Sequence, residues 1–253
     1  MSVFVHRAGE GGTPVLLLHG IGGSHVSFRA QLGAFAAAHR VLAWDAPGYG
    51  ASADSGAAPG MSGYARAAAS LLDEPAHVVG VSWGGVIATR LAVEHPGVVR
   101  SLTLADSTRG SGRTADGAAA MLARADELAR LGAEEFARRR APRLVAPDAD
   151  PAVLDGVIKI MSGVRLPGYR FAAESMAATD HTGLLGRVQA PTLVVVGEQD
   201  QVTGVAEARR LAEGIPGARL EVIAAAGHAA NQERPEAFNR LLLEFFGRVG
   251  VAA

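Results

Sequence analysis

The stretch His77-Val78-Val79-Gly80-Val81-Ser82-Trp83-Gly84-Gly85-Val86-Ile87-Ala88 decides how the rest of the chain is read. An apolar run enters Gly-x-Ser-x-Gly, and apolar residues at helical spacing leave it. The pattern reads as a strand, a very tight turn and a helix, with Ser82 at the apex of the turn. In so sharp a turn, side chains two positions to either side would collide, so Gly80 and Gly84 answer a steric demand. Gly85 lets the new helix pack close against its neighbours. The turn lifts the Ser82 hydroxyl clear of the sheet edge, and the helix N-terminus behind it favours developing negative charge. The bare motif has a second reading, a plain turn between two elements, because small residues are common in this chain. The remaining sequence has to decide between them.

At 253 residues the chain has the size of one ordinary domain, or of one domain with an insertion. Hydrophobic residues make up 49% and charged residues 19%, which fits a globular protein with a substantial core. The formal net charge of -1 gives no reason to expect nucleic acid or an anionic membrane as the main partner. The expected partner is a small-molecule substrate, and whether the chain is a monomer or a homo-oligomer stays open. With no cysteine, the sequence excludes disulfides, thiolate catalysis and cysteine metal sites. No stretch approaches the roughly 20 apolar residues of a membrane span, and the N-terminus has no apolar run before a cleavage site. A cytoplasmic protein is the expectation.

Strands are expected at Ser2 to His6, Val15 to Leu18, Val41 to Trp44, His77 to Val81 and Val99 to Ala105. Helices are expected at about Ser27 to Ala38, at Tyr64 to Leu72 and after Ser82. Strand, helix, strand, helix implies a parallel sheet with right-handed crossovers. From about Arg109 to Arg187 no convincing buried strand occurs. Thr114 to Leu131, Ala133 to Arg140, Pro151 to Met161 and Tyr169 to Ala178 read as helices, some of them separated by Pro142, Pro147 and Pro167. Glu134 with Arg138 and Glu135 with Arg139 have i,i+4 spacing, so Arg138-Arg139-Arg140 reads as a solvated face. Strands return at Pro191 to Gly197 and at Arg219 to Ile223, with a helix from Val205 to Glu213 between them. A last helix starts at Pro235, a residue suited to a first turn, and runs to about Phe246.

Ser82, Asp200 and His228 then fall in equivalent places, each after the C-terminal end of an expected parallel strand. Ligands of open α/β sheets bind at that edge. Asp106 also ends a strand and is a second candidate for the acid. Its other reading is a turn or helix cap. His19 and Asp45 read as residues that hydrogen-bond loops.

Together these motifs make the chain resemble the α/β-hydrolase fold superfamily, in its serine-nucleophile branch. The motifs are His19-Gly20-Ile21-Gly22-Gly23, Asp45-Ala46-Pro47-Gly48-Tyr49-Gly50-Ala51-Ser52, Gly80-Val81-Ser82-Trp83-Gly84-Gly85, Gly197-Glu198-Gln199-Asp200 and Gly227-His228. The order Ser, Asp, His is the order of that family. The nearest likeness is to small carboxylesterases and 3-oxoadipate enol-lactonase-like hydrolases. The resemblance implies a mostly parallel central sheet with helices on both faces, built from residues 1–106 and 187–253, and a helical cap inserted at 107–186. It implies Ser82 as nucleophile, His228 as base and Asp200 as the acid that orients it. The backbone N–H groups of Ile21 and Trp83 would form the oxyanion hole. No metal or cofactor is implied.

The expected activity is cleavage of an ester, lactone or thioester of a mid-sized, mostly apolar metabolite. Met121, Leu128, Phe136, Ile160, Met161, Phe171 and Met176 are candidates to line its pocket. Carbon–carbon bond hydrolysis of a ring-fission product would use the same triad. A hydrolase-fold binding protein, a cofactor-free lyase and a perhydrolase are the readings from other classes.

Overall fold

A computed structural model describes residues 2–251, so Met1, Ala252 and Ala253, the outermost residues of the expected core, lie outside the described residues. Seven strands form one sheet: β1 (Val5–Ala8), β2 (Pro14–Leu18), β3 (Arg40–Trp44), β4 (Ala76–Val81), β5 (Val99–Ala105), β6 (Thr192–Gly197) and β7 (Arg219–Ile223). Their order across the sheet is β1-β3-β2-β4-β5-β6-β7. Every neighbouring pair is parallel except β1 with β3. This is the mostly parallel sheet that the strand-helix alternation implied.

The helices are α1 (Arg29–Ala36), α2 (Gly60–Ala69), α3 (Trp83–Glu94), α4 (Ala115–Leu131), α5 (Ala133–Arg140), α6 (Pro151–Met161), α7 (Leu166–Ala177), α8 (Gly204–Gly214), α9 (Ala230–Glu233) and α10 (Pro235–Val251). All five residues of β2 are buried, as both faces of a central parallel strand should be. The pleat divides them. Leu16 and Leu18 join a core with residues of α2, α3 and α8, whereas Val15 and Leu17 join Phe35 of α1 and Phe238 and Leu242 of α10 on the other face. No helix among the described residues is long and apolar enough to cross a membrane.

Several boundaries differ from the sequence reading, among them that of the last helix, which runs to Val251 rather than to about Phe246. The first strand is Val5–Ala8 rather than Ser2 to His6, because its register against Val41 to Trp44 selects those residues. The segment from Ser27 divides into a 3-10 turn, His25–Phe28, capped by Ser24, and then α1. The helix α2 starts four residues before Tyr64, since Met61, Tyr64, Ala65 and Ala68 form one buried stripe at helical spacing. Pro167 opens α7 instead of preceding it, which suits a residue that needs no N–H partner in a first turn.

Helices α4 to α7 stand between β5 and β6 and are fastened to the sheet's C-terminal side. Thr108 Oγ1 and the backbone and side-chain nitrogens of Arg109 all donate to Glu207 of α8, at 3.0–3.1 Å. Burial pushes the Glu207 carboxyl up, yet the Arg109 bonds win and hold it down at about 2. Arg165 donates to Asp54 and to the carbonyls of Gly50 and Ser52. Ala229 N–H donates to the Leu144 carbonyl at 2.8 Å.

Two sterically closed glycines flank Ser82. A Cβ on Gly80 would lie 2.3 Å from the Gly84 carbonyl oxygen, and a Cβ on Gly84 would lie 2.0 Å from that of Leu18. The collision at Gly84 is therefore with the end of β2, a neighbour that the local motif does not reveal. Backbone atoms cannot rotate out of the way, so Gly84→Ala should cost about 2 kcal/mol or more. Nothing lies within 4 Å of a Cβ on Gly97, so Gly97→Ala serves as control. Urea denaturation of both variants checks this, and equal stability would contradict it.

His19 and His181 are wholly buried and His77 nearly so. Burial lowers His19 and His181 to about 4 and His77 to about 3. The unfolded chain takes up these protons from about pH 6.5 downward, the native state only near pH 4 and below. Stability should thus be fully present above about pH 6.5 and fall as the pH drops toward 4, by up to about 1.4 kcal/mol per pH unit for each histidine. Stability independent of pH between 7 and 5 would contradict this.

Candidate active site

Ser82 sits between β4 and α3 with φ 54° and ψ -117°, outside the regions that L-residues favour. Hydrogen bonds to β5 and its continuation hold this strained backbone. Ser82 N–H donates to the Ala105 carbonyl at 2.8 Å, and Ser107 Oγ donates to the Ser82 carbonyl at 2.9 Å. Gly85 explains how Ser107 comes so close, since a Cβ there would be 2.3 Å from Ser107 Oγ.

Three residues distant in sequence meet at this point. His228 Nε2 is 3.0 Å from Ser82 Oγ, and His228 Nδ1 is 3.0 Å from Asp200 Oδ2. Asp200 follows β6, and its carboxylate also accepts from Val202 N–H, Thr203 N–H and Thr203 Oγ1 at 2.7, 3.1 and 2.5 Å. Burial pushes this carboxyl up, but the His228 partnership and the three donors pull it well below the ordinary range. Asp200 is thereby held as an anion against the imidazole.

Asp106, the second candidate acid, follows β5. Its Oδ1 accepts from Gly197 N–H at 2.8 Å. Complete burial, and then the neighbouring Asp200 charge, push its carboxyl well above the ordinary range. Two neighbouring carboxyls are thus pushed in opposite directions, and the geometry brings His228 to Asp200.

The Ile21 N–H belongs to a turn closed by Gly23 N–H on the Gly20 carbonyl at 2.9 Å. The Trp83 N–H is in the first turn of α3, where helical partners are lacking. Neither donates to a protein acceptor among the described residues. His19 stays neutral beneath this loop, bonding the Gly20 carbonyl through Nδ1 and accepting from Ala46 N–H through Nε2 at 3.0 Å. Asp45 accepts from His25 and Ala51 and so ties two loops together.

Glu233, to which the sequence reading gave no role, fixes the His228 loop. Its two oxygens accept from Gly227 N–H at 2.9 Å and from Ala146 N–H at 2.7 Å. Burial still pushes its carboxyl up. A Cβ on Gly227 would lie 2.5 Å from both Ala146 N and the Val145 carbonyl carbon. The segment after α5 therefore presses directly on the loop that carries His228.

A pocket opens over Ser82 and His228. Of the seven apolar residues considered from sequence, Ile160 and Met161 line it, Met121, Leu128, Phe136 and Met176 lie in the core, and Phe171 is half-buried away from the pocket lining. Leu144, Val157 and Tyr169 line it as well, with Arg124 and Arg140. The expectation for Arg138-Arg139-Arg140 divides. Arg138 and Arg139 are exposed, with Arg139 paired to Glu135, while Arg140 reaches the pocket.

A family model described as the alpha/beta hydrolase family matches residues 15–241. A protein of Azorhizobium caulinodans, named provisionally as the carbamate hydrolase RutD, is 33% identical, covering 97% of this chain and 94% of its own. A thermophilic esterase from Thermogutta terrifontis, solved with malate bound, superposes with TM-score 0.91 at 27% identity, covering 98% and 93% of the two chains. The enol-lactonase of Burkholderia xenovorans LB400 superposes with TM-score 0.88 at 25% identity, covering 97% and 96%.

Glu233→Gln keeps the side chain's shape but turns one acceptor into a donor facing an N–H. With one buried N–H left unsatisfied, stability should fall by about 1–3 kcal/mol. Urea denaturation tests this, and an unchanged midpoint would mean that the loop does not depend on the carboxylate.

Proposed function

The chain belongs to the alpha/beta hydrolase family, and on that premise we propose that it is a serine hydrolase acting on an ester, lactone or thioester. One observation carries the reading: an unbroken hydrogen-bonded line from Asp200 through His228 to Ser82, with 3.0 Å at each link, at a pocket floor. A serine hydroxyl is a weak nucleophile at neutral pH and needs a base within this reach. Helices α4 to α7, in residues 107–186, act as a cap over residues 1–106 and 187–253. The substrate is a small molecule, and the enzyme works in the cytoplasm.

Each step follows from the residues. His228 Nε2 takes the Ser82 proton as Oγ attacks the substrate carbonyl. The resulting oxyanion accepts from the Ile21 and Trp83 N–H groups, which have no protein acceptor to surrender. Asp200 fixes the Nδ1–H tautomer and stabilises the imidazolium. His228 then gives its proton to the departing oxygen or sulfur, leaving an acyl group on Ser82. A water loses a proton to His228, attacks the acyl carbon, and Ser82 Oγ departs with that proton. No cofactor enters this scheme.

A fluorophosphonate probe should add once to the wild type by intact mass and not at all to Ser82→Ala. Asp200→Asn should lower kcat by about three to four decades through loss of the correct tautomer. His228→Ala should lower it by at least about three decades. An unlabelled folded wild type, or near-normal turnover by Ser82→Ala, refutes the mechanism. Hydrolysis of a dienoate ketone without ester hydrolysis would move the reading to carbon–carbon bond cleavage by the same triad.

A further inference from the structure

Three hydrogen-bond donors converge on the pocket from the helices between β5 and β6: Arg124 of α4, Arg140 at the end of α5 and Tyr169 of α7. None donates a side-chain hydrogen bond to a protein acceptor among the described residues. Other arginines of this chain are better matched. Arg109 reaches Glu207, Arg165 reaches Asp54 and Arg170 reaches Asp126, at 2.9–3.1 Å. The carboxylate oxygen paired with Arg140, Glu127 Oε2, is 4.0 Å away, beyond hydrogen-bond distance. Arg124 forms no ion pair among the described residues.

The surroundings make this arrangement costly without a ligand. Burial, then the adjacent Arg140 charge, pull the Arg124 guanidinium below its usual range, and an arginine still carries its charge at neutral pH. Among the described residues, no Asp or Glu lines the pocket. Apolar side chains such as Leu144, Val157 and Met161 form much of the remaining wall. The Arg140 guanidinium carbon stands 5.5 Å from the Phe136 ring centroid, which steadies its plane. Arg124 and Arg140 also border an outer depression that adds Arg143 against a single acid, Glu127. The approach to the site is thus cationic, in a chain whose net charge is near zero. Two guanidinium groups with free forks match a planar carboxylate, and a phenolic hydroxyl supplies a further donor.

We propose that the substrate carries a free carboxylate, held by Arg124 and Arg140 with Tyr169 Oη as third donor, while its scissile carbonyl sits at Ser82. The inference rests on the serine-hydrolase reading for the identity of the scissile group. It revises the sequence-based expectation of a mostly apolar substrate: the ligand is an acid-bearing ester, lactone or thioester with an apolar middle. Arg124 and Arg140 are specificity-determining residues, acting on KM more than on kcat.

Calorimetric titration of Ser82→Ala, which binds without turnover, compares methyl hydrogen glutarate, a monoanion, with neutral dimethyl glutarate. The monoanion should bind at least about tenfold tighter, and raising NaCl should weaken the monoanion alone. Adding Arg124→Gln or Arg140→Gln should bring the two affinities within about threefold, and Arg124→Lys should retain part of the preference. Circular dichroism checks the fold of each variant, and if a variant does not fold, the monoanion-diester comparison at two salt concentrations decides by itself. Equal affinities, no binding of the monoanion, or a preference that survives both Gln substitutions overturns the proposal. A wild type that binds the monoanion tightly yet takes no fluorophosphonate label would refute the serine mechanism and leave the anion site standing.

Discussion

The constraint on which this structure depends is the contact between two backbones at the top of the sheet. The turn at Ser82 passes so close to the end of β2 that Gly84 has no room for a Cβ beside the Leu18 carbonyl. Gly80 is closed in the same way by the Gly84 backbone, and Gly20 lies against Ser82 itself, its Cβ position 3.2 Å from that of the serine. Removing side chains at these positions lets β2 and β4 end side by side, with the glycine loop and the serine turn sharing one small space. The positive φ of Ser82 costs on the order of 1–3 kcal/mol. Burial of β2, β4 and β5 on both faces offsets this, since a fully buried core strand cannot relax without losing its packing.

The His228 loop is held from two sides. On the sheet side, Gly197 and Gly227 approach so closely that a Cβ on Gly197 would be 2.1 Å from the Gly227 carbonyl oxygen. On the other side, the residues after α5 hold it: the Leu144 carbonyl accepts from Ala229 N–H, and Ala146 N–H donates to Glu233, whose other oxygen accepts from Gly227 N–H. The same helical region supplies Arg124, Arg140 and Tyr169 to the pocket. One segment therefore both fixes the proposed base and faces the substrate, so changes in that segment alter both together.

Electrostatics give each of three neighbouring carboxyls a separate task. Asp200 has His228 and three other donors and stays ionised. Asp106, fully buried and beside that charge, is pushed the other way. Glu233 is pushed up by burial while holding two backbone N–H groups. Environment, not residue type, separates them, because desolvation opposes charge unless donors compensate. The arginine pair in the pocket applies the same logic in reverse, as charge placed where protein acceptors are lacking.

The fold was legible in the sequence because it is written in local patterns. Strands buried on both faces are short continuous apolar runs, and β5, β7, α5 and α6 fall on the residues that the sequence marked. The turn glycines and the order Ser82, Asp200, His228 were legible for the same reason: each follows a strand end. What tertiary structure alone decided concerns groups far apart in the chain. Whether His228 turns to Asp200 or Asp106 depends on where Gly197 N–H and Thr203 spend their hydrogen bonds. Glu233 had no role in the sequence reading, and Arg140 read as the end of a solvated run. Their roles arise from which helices close over the strand ends, because periodicity records which face of an element is buried but not the partner it meets there.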